Sequence, residues 1–578
     1  MVLIYSKPDR MLHGSCKMTP LLTVGLGMLL ACIPLVCSIQ PLDSRNVFRG
    51  FGNIIQDDSS SSSSFLEGSK MNDDDKDDVR EDFVTQMLDH FATNPNHETA
   101  TFQQRYFYTS RYVVDVESNF GTVMKGDDDV VRPSYAFLCV GGEGPPLQKA
   151  VLIDSVHCTG DMIELAKRLY DNGKGSSVHL FALEHRYYGK SYPSQEKSTS
   201  DSKVIPSYLS SRQALADLSH FVTVTNQELI RSSPNNLKWV TFGGSYPGML
   251  AGWARLRLPH LIHAAVSNSA PMQAKLDFGE YQATVSADLR YELIGGSSDC
   301  LEIMEHGHAE LSRMLTASSS SSSSTTEDRT RVAELFQVCG GVDMLKNDRN
   351  VEMFIGDGVM YVPSQANDPS CDGELCNIEK LCSAMLEDST SSPMERLAHI
   401  SNRQRNSECI NIDWSEYLLS IGSNQEDFSW LWQTCTEFGF YQTCENDSGC
   451  PFSEGFHTVE QDLEMCKTVY GIDSDTVKQN IQDTLEWYGG WDIKGSRIMF
   501  VNGDVDPWSA LAVTGDRGSP DQPTLWVKGA SHHAWTHKVK ESDSEEIVQA
   551  REDIYTQVTE WLMEPLWSRP ISMDSAST

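Results

Sequence analysis

Basic residues are scarce in this chain. Lysine and arginine number 46 against 81 aspartates and glutamates, a formal charge of −35 over 578 residues. A phosphate-binding face needs clustered cations, so no nucleic-acid partner is expected. Long apolar runs are equally scarce: after residue 38 no stretch is long and apolar enough to span a bilayer. No phosphate-cradling glycine loop or dinucleotide fingerprint occurs, and the chemistry read below calls for no cofactor. The cysteines contain no paired C-x-x-C set, so no metal site is expected. His306 and His308 in "EHGHAE" are accordingly expected to be solvated.

Cysteine itself is plentiful, at 15 residues. Cys16, Cys32 and Cys37 lie in an N-terminal segment where Lys7, Arg10 and Lys17 precede the apolar stretch "PLLTVGLGMLLACIPLVCS" at 20–38. Positive charge, an apolar run and small residues predict a secretory signal peptide over 1–38, with an uncleaved signal anchor as the competing reading and the one route to a membrane partner. Twelve cysteines then remain, an even number, ten of them between Cys300 and Cys466. That density predicts disulfides and passage through the oxidising secretory pathway; the acidic composition suits an acidic compartment, a lysosome or vacuole, or secretion to the cell exterior. Asn446 in Asn446-Asp447-Ser448 is a candidate glycosylation site.

Composition shifts divide the chain. Residues 39–82, with a serine run (Ser59 to Ser64) and "NDDDKDDVRED", are too polar to build a core. A second serine run, Ser318 to Ser324, reads as a loop inside a domain. Over 83–280 apolar strands alternate with helical spacing: "YAFLCVGGEGPP", "VHLFALEHRYYG", the helix "SRQALADLSHFVTVTNQEL", then "LKWVTF", the helix "MLAGWARLRL" and "IHAAVSNSAP". Such alternation implies a mostly parallel sheet covered on both faces. From 281 to 480 the rhythm gives way to a cysteine-rich, mainly helical insertion. It returns over 481–566 with "RIMFVNGDVDPW", "PTLWVKGASHH" and a closing helix at about 543–563, ahead of a tail at 567–578. The fold class read from this order is α/β, with a disulfide-rich, mainly helical insertion into the sheet domain.

Ser245 stands in "FGGSYPGML", between a strand and a helix. The general elbow pattern is G-x-S-x-G, whereas here Pro247 holds the fifth position and the glycine comes at Gly248. The context still suits a nucleophile. A tight turn lifts the hydroxyl from the sheet edge, a helix N-terminus supplies N–H groups, and proline is well tolerated in a first helical turn. In an α/β-hydrolase the acid and then the histidine follow on loops after late strands. Here the loop "NGDVDPW" offers Asp504 and Asp506, and "KGASHHAWTH" offers His532, His533 and His537. The oxyanion would lie between the backbone N–H of Tyr246 and an N–H of the "GGEG" loop, at Gly142 or Glu143. Glu143 also sits within reach of a substrate amino terminus, though bracing of the loop is the plainer role. Glu184, His185 and Arg186 read first as a structural cluster of ion pairs and hydrogen bonds.

The motifs "GGSYPGML", "EHRYYGKSYP", "YLSSRQALADLSHF", "WLWQTCTEFGFYQTC" and "FVNGDVDPWSALAVT" resemble the lysosomal Pro-X carboxypeptidase and dipeptidyl-peptidase II family of serine peptidases over about residues 83–565. The last two are most like its thymus-specific serine protease branch. The resemblance implies Asp506, directly before Pro-Trp, as the acid and His532 as the base. The chain reads "HHAWT" where that branch tends to read "HCLDM", which keeps His533 beside His532 as a candidate. It further implies cleavage of short peptides after proline, with Met249 and Trp508 lining a pocket for the prolyl ring and the helical insertion acting as a cap. The expected function is a serine exopeptidase acting on peptides, with room for a homodimer. An esterase or lipase on the same fold, or a catalytically inactive binding protein, are the alternatives, since a triad alone does not choose among them.

Overall fold

The computed structural model describes residues 78–92, 100–114, 133–171, 176–193, 204–230, 237–316 and 326–564. The expected signal segment 1–38, nearly all of the acidic stretch 39–82, the serine run at 318–324 and the tail 567–578 lie outside the described residues. Strands β1 (Arg80–Met87), β2 (Thr101–Tyr112), β3 (Ser134–Val140), β4 (Ser177–Leu183), β5 (Lys238–Gly244), β6 (Ile262–Asn268), β9 (Ile498–Gly503) and β10 (Thr524–Val527) form one eight-stranded sheet. Its order is β1-β2-β4-β3-β5-β6-β9-β10. The two first strands run antiparallel, and the pairs from β4 to β10 are parallel. This is the α/β-hydrolase fold. The hairpin β1/β2 carries no clear signal in the sequence, because "REDFVTQM" turns mostly charged and polar residues to solvent.

Both faces of the central strands are covered, which explains their unbroken apolar runs. All seven residues of β3 and of β6 are buried. Phe137, Val240, Phe242, Val266 and Val501 pack on one face with the helices Glu164–Asp171 and Glu545–Met563. Leu138, Phe181 and Trp239 pack on the other with Ser211–Ile230 and Tyr246–Arg257. The chain leaves the sheet after β6 and returns at β9, its neighbour in the sheet. Between them run the helices from Glu280–Leu289 to Ser474–Tyr488, and a two-stranded pairing of β7 (Lys275–Asp277) with β8 (Gly439–Tyr441). The apolar core on this face runs without a break from Leu138 and Met249 into Leu311, Phe354, Leu397 and Ile481 of the helical segment.

All twelve cysteines after residue 38 are paired: Cys139–Cys158, Cys300–Cys382, Cys339–Cys409, Cys371–Cys376, Cys435–Cys466 and Cys444–Cys450. Six disulfides fit a protein of the secretory pathway. Among the described residues no helix is long and apolar enough to cross a membrane.

One expectation is corrected. His306 is exposed, but His308 is buried, with Nδ1 3.2 Å from Ser453 Oγ and its ring against Phe452. On the helix Ser298–Thr316, His308 shares the inward stripe with Met304, Leu311 and Leu315, whereas two positions away lies the opposite face. Burial holds the His308 imidazole down at about 3. The cluster at 184–186 is structural, as expected. Arg186 donates to both oxygens of Asp217 (2.6 and 2.7 Å) and to the carbonyls of Met87, Leu88 and Tyr208. Glu184 receives Arg105, the Leu147 and Lys190 N–H groups and the Ser191 hydroxyl.

The helical segment also caps a helix of the sheet layer. Both carboxylate oxygens of Glu437 accept the Ser211 N–H, at 3.0 and 2.9 Å, and Oε1 accepts the Ser211 hydroxyl, at the start of Ser211–Ile230. The bonds satisfy an otherwise unpaired N–H of a first helical turn. Glu437 is buried, and desolvation raises its carboxyl from 4.5 to about 7. A carboxyl whose folded pKa is raised holds its proton more tightly in the folded state. Its contribution to stability is complete below about pH 4.5 and is lost as pH rises towards 7. The melting temperature of the native protein relative to Glu437→Gln should therefore fall between pH 4.5 and 7.5. A difference between the two proteins that stays constant across that range in thermal scans would mean that this carboxyl titrates normally.

Candidate active site

β5 ends in Gly243-Gly244, and the chain turns at Ser245 with φ 63° and ψ −135° before entering the helix Tyr246–Arg257. Few non-glycine residues hold such a backbone, which costs about 1–3 kcal/mol and persists only where the surroundings enforce it. The enforcement is visible. The Ser245 N–H donates to the Asn268 carbonyl at the end of β6 (2.9 Å), and the Ser245 carbonyl accepts the Met249 N–H (3.1 Å). Gly248 explains the displaced glycine: a Cβ there would come 2.7 Å from the Asn268 oxygen. Pro247 takes the first turn of the helix. Ser245 and Pro247 are the partly exposed residues of an otherwise buried run from Trp239 to Arg255.

The two late loops meet. Asp506 is buried and begins the short helix Pro507–Leu511, where its Oδ1 accepts the Trp508 N–H (3.0 Å). His532 Nδ1 lies 2.9 Å from each Asp506 carboxylate oxygen. Asp504 points elsewhere, to the Gly529 N–H and the Tyr291 hydroxyl. His533, in the left-handed region at φ 37°, places its Nδ1 at Thr536 Oγ1 (3.2 Å) and donates its N–H to Ser269 Oγ (2.8 Å). Its ring lies over Gly244, so the histidine loop adjoins the turn that carries Ser245. Burial, and then its histidine neighbours, hold the His533 ring well below 6.5. His537 is partly buried at the end of the same loop.

The loop after β3 also reaches the turn, at Pro247. A Cβ on Gly142 would come 2.4 Å from Pro247 Cγ, so glycine is what allows this approach. Gly142 and Glu143 are both half-buried, and Tyr246 is buried one residue beyond Ser245. Met249 is buried in the core, whereas Trp508 stands beside the loop of His532, its ring 6.3 Å from that of His532 and flanked by Phe278, Tyr281 and Phe440. Asn446 is exposed in a turn between Cys444 and Cys450. Among the described residues no group of three or more His, Cys, Asp or Glu is arranged to hold a metal ion.

Two residues that sequence reasoning passed over hold these loops together. Asn268 binds the turn through its carbonyl, while its side chain donates to Asp161 (2.8 Å) and to the Gly243 carbonyl (3.2 Å) and accepts from Trp535 Nε1 (2.7 Å). One residue thus joins the Ser245 turn to the loop of His532. Gln365, from the helical segment, accepts the His532 N–H through its carbonyl (3.1 Å) and both Trp508 Nε1 (2.9 Å) and the Tyr281 hydroxyl (3.0 Å) through its amide oxygen. Desolvation raises the Asp161 carboxyl to about 7.

Residues 86–554 match the family described as Peptidase_S28, serine carboxypeptidase S28. The chain belongs to that family. As an S28 member it is a serine-type peptidase, and its substrates are peptides. It is 32% identical over 496 residues to the thymus-specific serine protease of Mus musculus, covering 84% of this chain and 87% of that protein. The Homo sapiens protein of the same name is 32% identical over 495 residues, with 83% and 86% covered. The lysosomal Pro-X carboxypeptidase of Homo sapiens is 25% identical over 466 residues, with 78% and 82% covered. For this S28 peptidase, Asn268→Ala would strand the buried Asp161 and Trp535 polar groups. Chemical denaturation should then show a loss of about 1–3 kcal/mol; an unchanged midpoint and slope would show that Asn268 does not tie the loops.

Proposed function

We propose that this S28 peptidase is an exopeptidase that hydrolyses short peptides at prolyl bonds through Ser245, His532 and Asp506. The observation that carries the reading is the His532–Asp506 pair, with Nδ1 at 2.9 Å from both oxygens, on a loop that adjoins the strained turn of Ser245. Asp506 holds Nδ1–H, which leaves Nε2 as the basic nitrogen. His532 takes the Ser245 proton as the hydroxyl attacks the scissile carbonyl, and returns it to the leaving amine. Water then hydrolyses the acyl-enzyme by the reverse transfer. Asp506 stabilises the imidazolium formed in each step. The developing oxyanion is met by the Tyr246 N–H and by Gly142 or Glu143.

The prolyl pocket is assigned to Trp508, whose ring stands beside His532; Met249, expected beside it, is core packing of the helix behind Ser245. The helical segment between β6 and β9 acts as the cap that restricts the site to peptide ends. The six disulfides support a route through the secretory pathway, and the likeness to the lysosomal Pro-X carboxypeptidase of Homo sapiens supports a lysosomal or vacuolar end to it. The exposed Asn446 turn suits glycosylation on that route.

Ser245→Ala and His532→Ala should each lower kcat/KM by more than about a thousandfold, whereas His533→Ala should keep most of it. Labelling by a fluorophosphonate probe should vanish in Ser245→Ala. Lys-Pro-fluorophore and Z-Pro-Phe, assayed side by side from pH 4 to 8, report which peptide end is used. Cleavage of neither, with rapid turnover of a p-nitrophenyl ester, would reject the prolyl exopeptidase reading.

A further inference from the structure

The motif "WLWQTCTEFGFYQTC", residues 430–444, lies in the helical segment and contributes none of the groups named above as reacting. It nevertheless reaches the turn of Ser245. Gln433 closes the helix Gln425–Gln433, just before the wide turn Thr434–Phe438, and is buried. Its Oε1 accepts the Tyr188 hydroxyl (2.8 Å) and its Nε2 donates to Tyr246 Oη (2.9 Å). Tyr246 Oη lies 3.0 Å from His185 Nε2, and His185 Nδ1 lies 2.7 Å from the Arg186 carbonyl. All four side chains are buried.

Donor and acceptor chemistry gives this chain a single direction. The Arg186 carbonyl only accepts, so His185 Nδ1 carries the proton and Nε2 accepts. Tyr246 therefore donates to His185, and its oxygen takes the Gln433 N–H. Gln433 in turn takes the Tyr188 hydroxyl proton. Burial holds His185 at about 4, which keeps it neutral and the direction intact over the acid range. The Tyr246 ring is thus pinned from two sides, by the loop after β4 and by the helical segment. Its own backbone N–H follows Ser245 directly.

We propose that Gln433 is a positioning residue: through Tyr246 Oη it sets the orientation of the Tyr246 peptide N–H towards the oxyanion, so that the helical segment completes the hole it covers. The inference rests on the reading of Ser245 as the nucleophile. Trp430 and Phe438 pack on the ring from the same segment, at 5.8 and 5.3 Å, but among the described residues only the Gln433 amide fixes Oη from that side; removing it takes away a directional bond and lets the N–H shift from its donor geometry. Such a donor matters more in the transition state than in the bound ground state, so kcat falls and KM does not.

Two variants test it, with kcat, KM and the rate of fluorophosphonate labelling measured from pH 4.5 to 8. Gln433→Leu should lower kcat about tenfold to a hundredfold, leave KM within about threefold and slow labelling in proportion. Gln433→Glu should depend on pH as the native protein does not. While protonated, the carboxyl introduced by Gln433→Glu donates to Tyr246 and accepts from Tyr188, as the native amide does. Once ionised, it only accepts, and it draws the Tyr246 hydroxyl away from His185. The titratable groups facing this position are Glu437 on the adjoining turn, His185 and Tyr188 on the loop after β4, and Tyr246; Glu143 and Glu426 act on Tyr188. The kcat of Gln433→Glu should approach the native value in acid and fall as its carboxyl ionises. Native kcat in Gln433→Leu overturns the proposal, as does a Gln433→Glu profile parallel to the native one; the second result decides alone if the leucine variant does not fold. Peptidase activity retained in Ser245→Ala would instead overturn the underlying reading of the nucleophile.

Discussion

The backbone of Ser245 is the constraint on which the site depends. A serine at φ 63° and ψ −135° is uphill by about 1–3 kcal/mol, and local sequence cannot hold it there. The Asn268 carbonyl, the close approach permitted by Gly248 and the helix that starts through Pro247 hold it instead. Each of these contacts comes from an element fixed by the sheet: β5 delivers the turn, β6 the carbonyl, and the parallel pairing of the two brings them together. The displaced glycine, which breaks the general elbow pattern, is needed because this turn packs directly on the end of the neighbouring strand.

The helical segment is joined to the sheet layer by more than apolar contact. Glu437 caps the helix Ser211–Ile230, Gln433 holds the ring next to Ser245, and Gln365 binds the backbone of His532. Buried hydrogen bonds of this kind are directional and costly to leave unmade, so they fix one arrangement where an apolar interface tolerates slippage. The disulfides Cys300–Cys382 and Cys339–Cys409, spanning 82 and 70 residues, remove much of the freedom of the unfolded segment.

The parts of the molecule that were legible in the sequence carry their signal locally. Buried parallel strands show as apolar runs, and the loops at Asp506 and His532 follow such runs. The strand "RIMFVNG" and the turn at Ser245 lie where periodicity and turn chemistry place them. The hairpin β1/β2 escaped because an edge pair with one solvated face reads as polar chain. His308 differs from the expectation because a helix turns histidines two residues apart to opposite faces. Asn268, Gln365 and Gln433 were invisible for a different reason. Each acts through partners far away along the chain, such as Trp535 for Asn268, Trp508 for Gln365 and Tyr246 for Gln433, and no local pattern encodes such a pairing.

The double attachment of Gln365 couples two distant parts of the chain. The same residue grips the His532 backbone and the Trp508 indole from the helical side. A helical segment that swung away as a rigid body would carry Gln365 with it and unhook the histidine from its place. The segment and the histidine loop are thus mechanically one piece, and whatever disturbs the first is felt at the second.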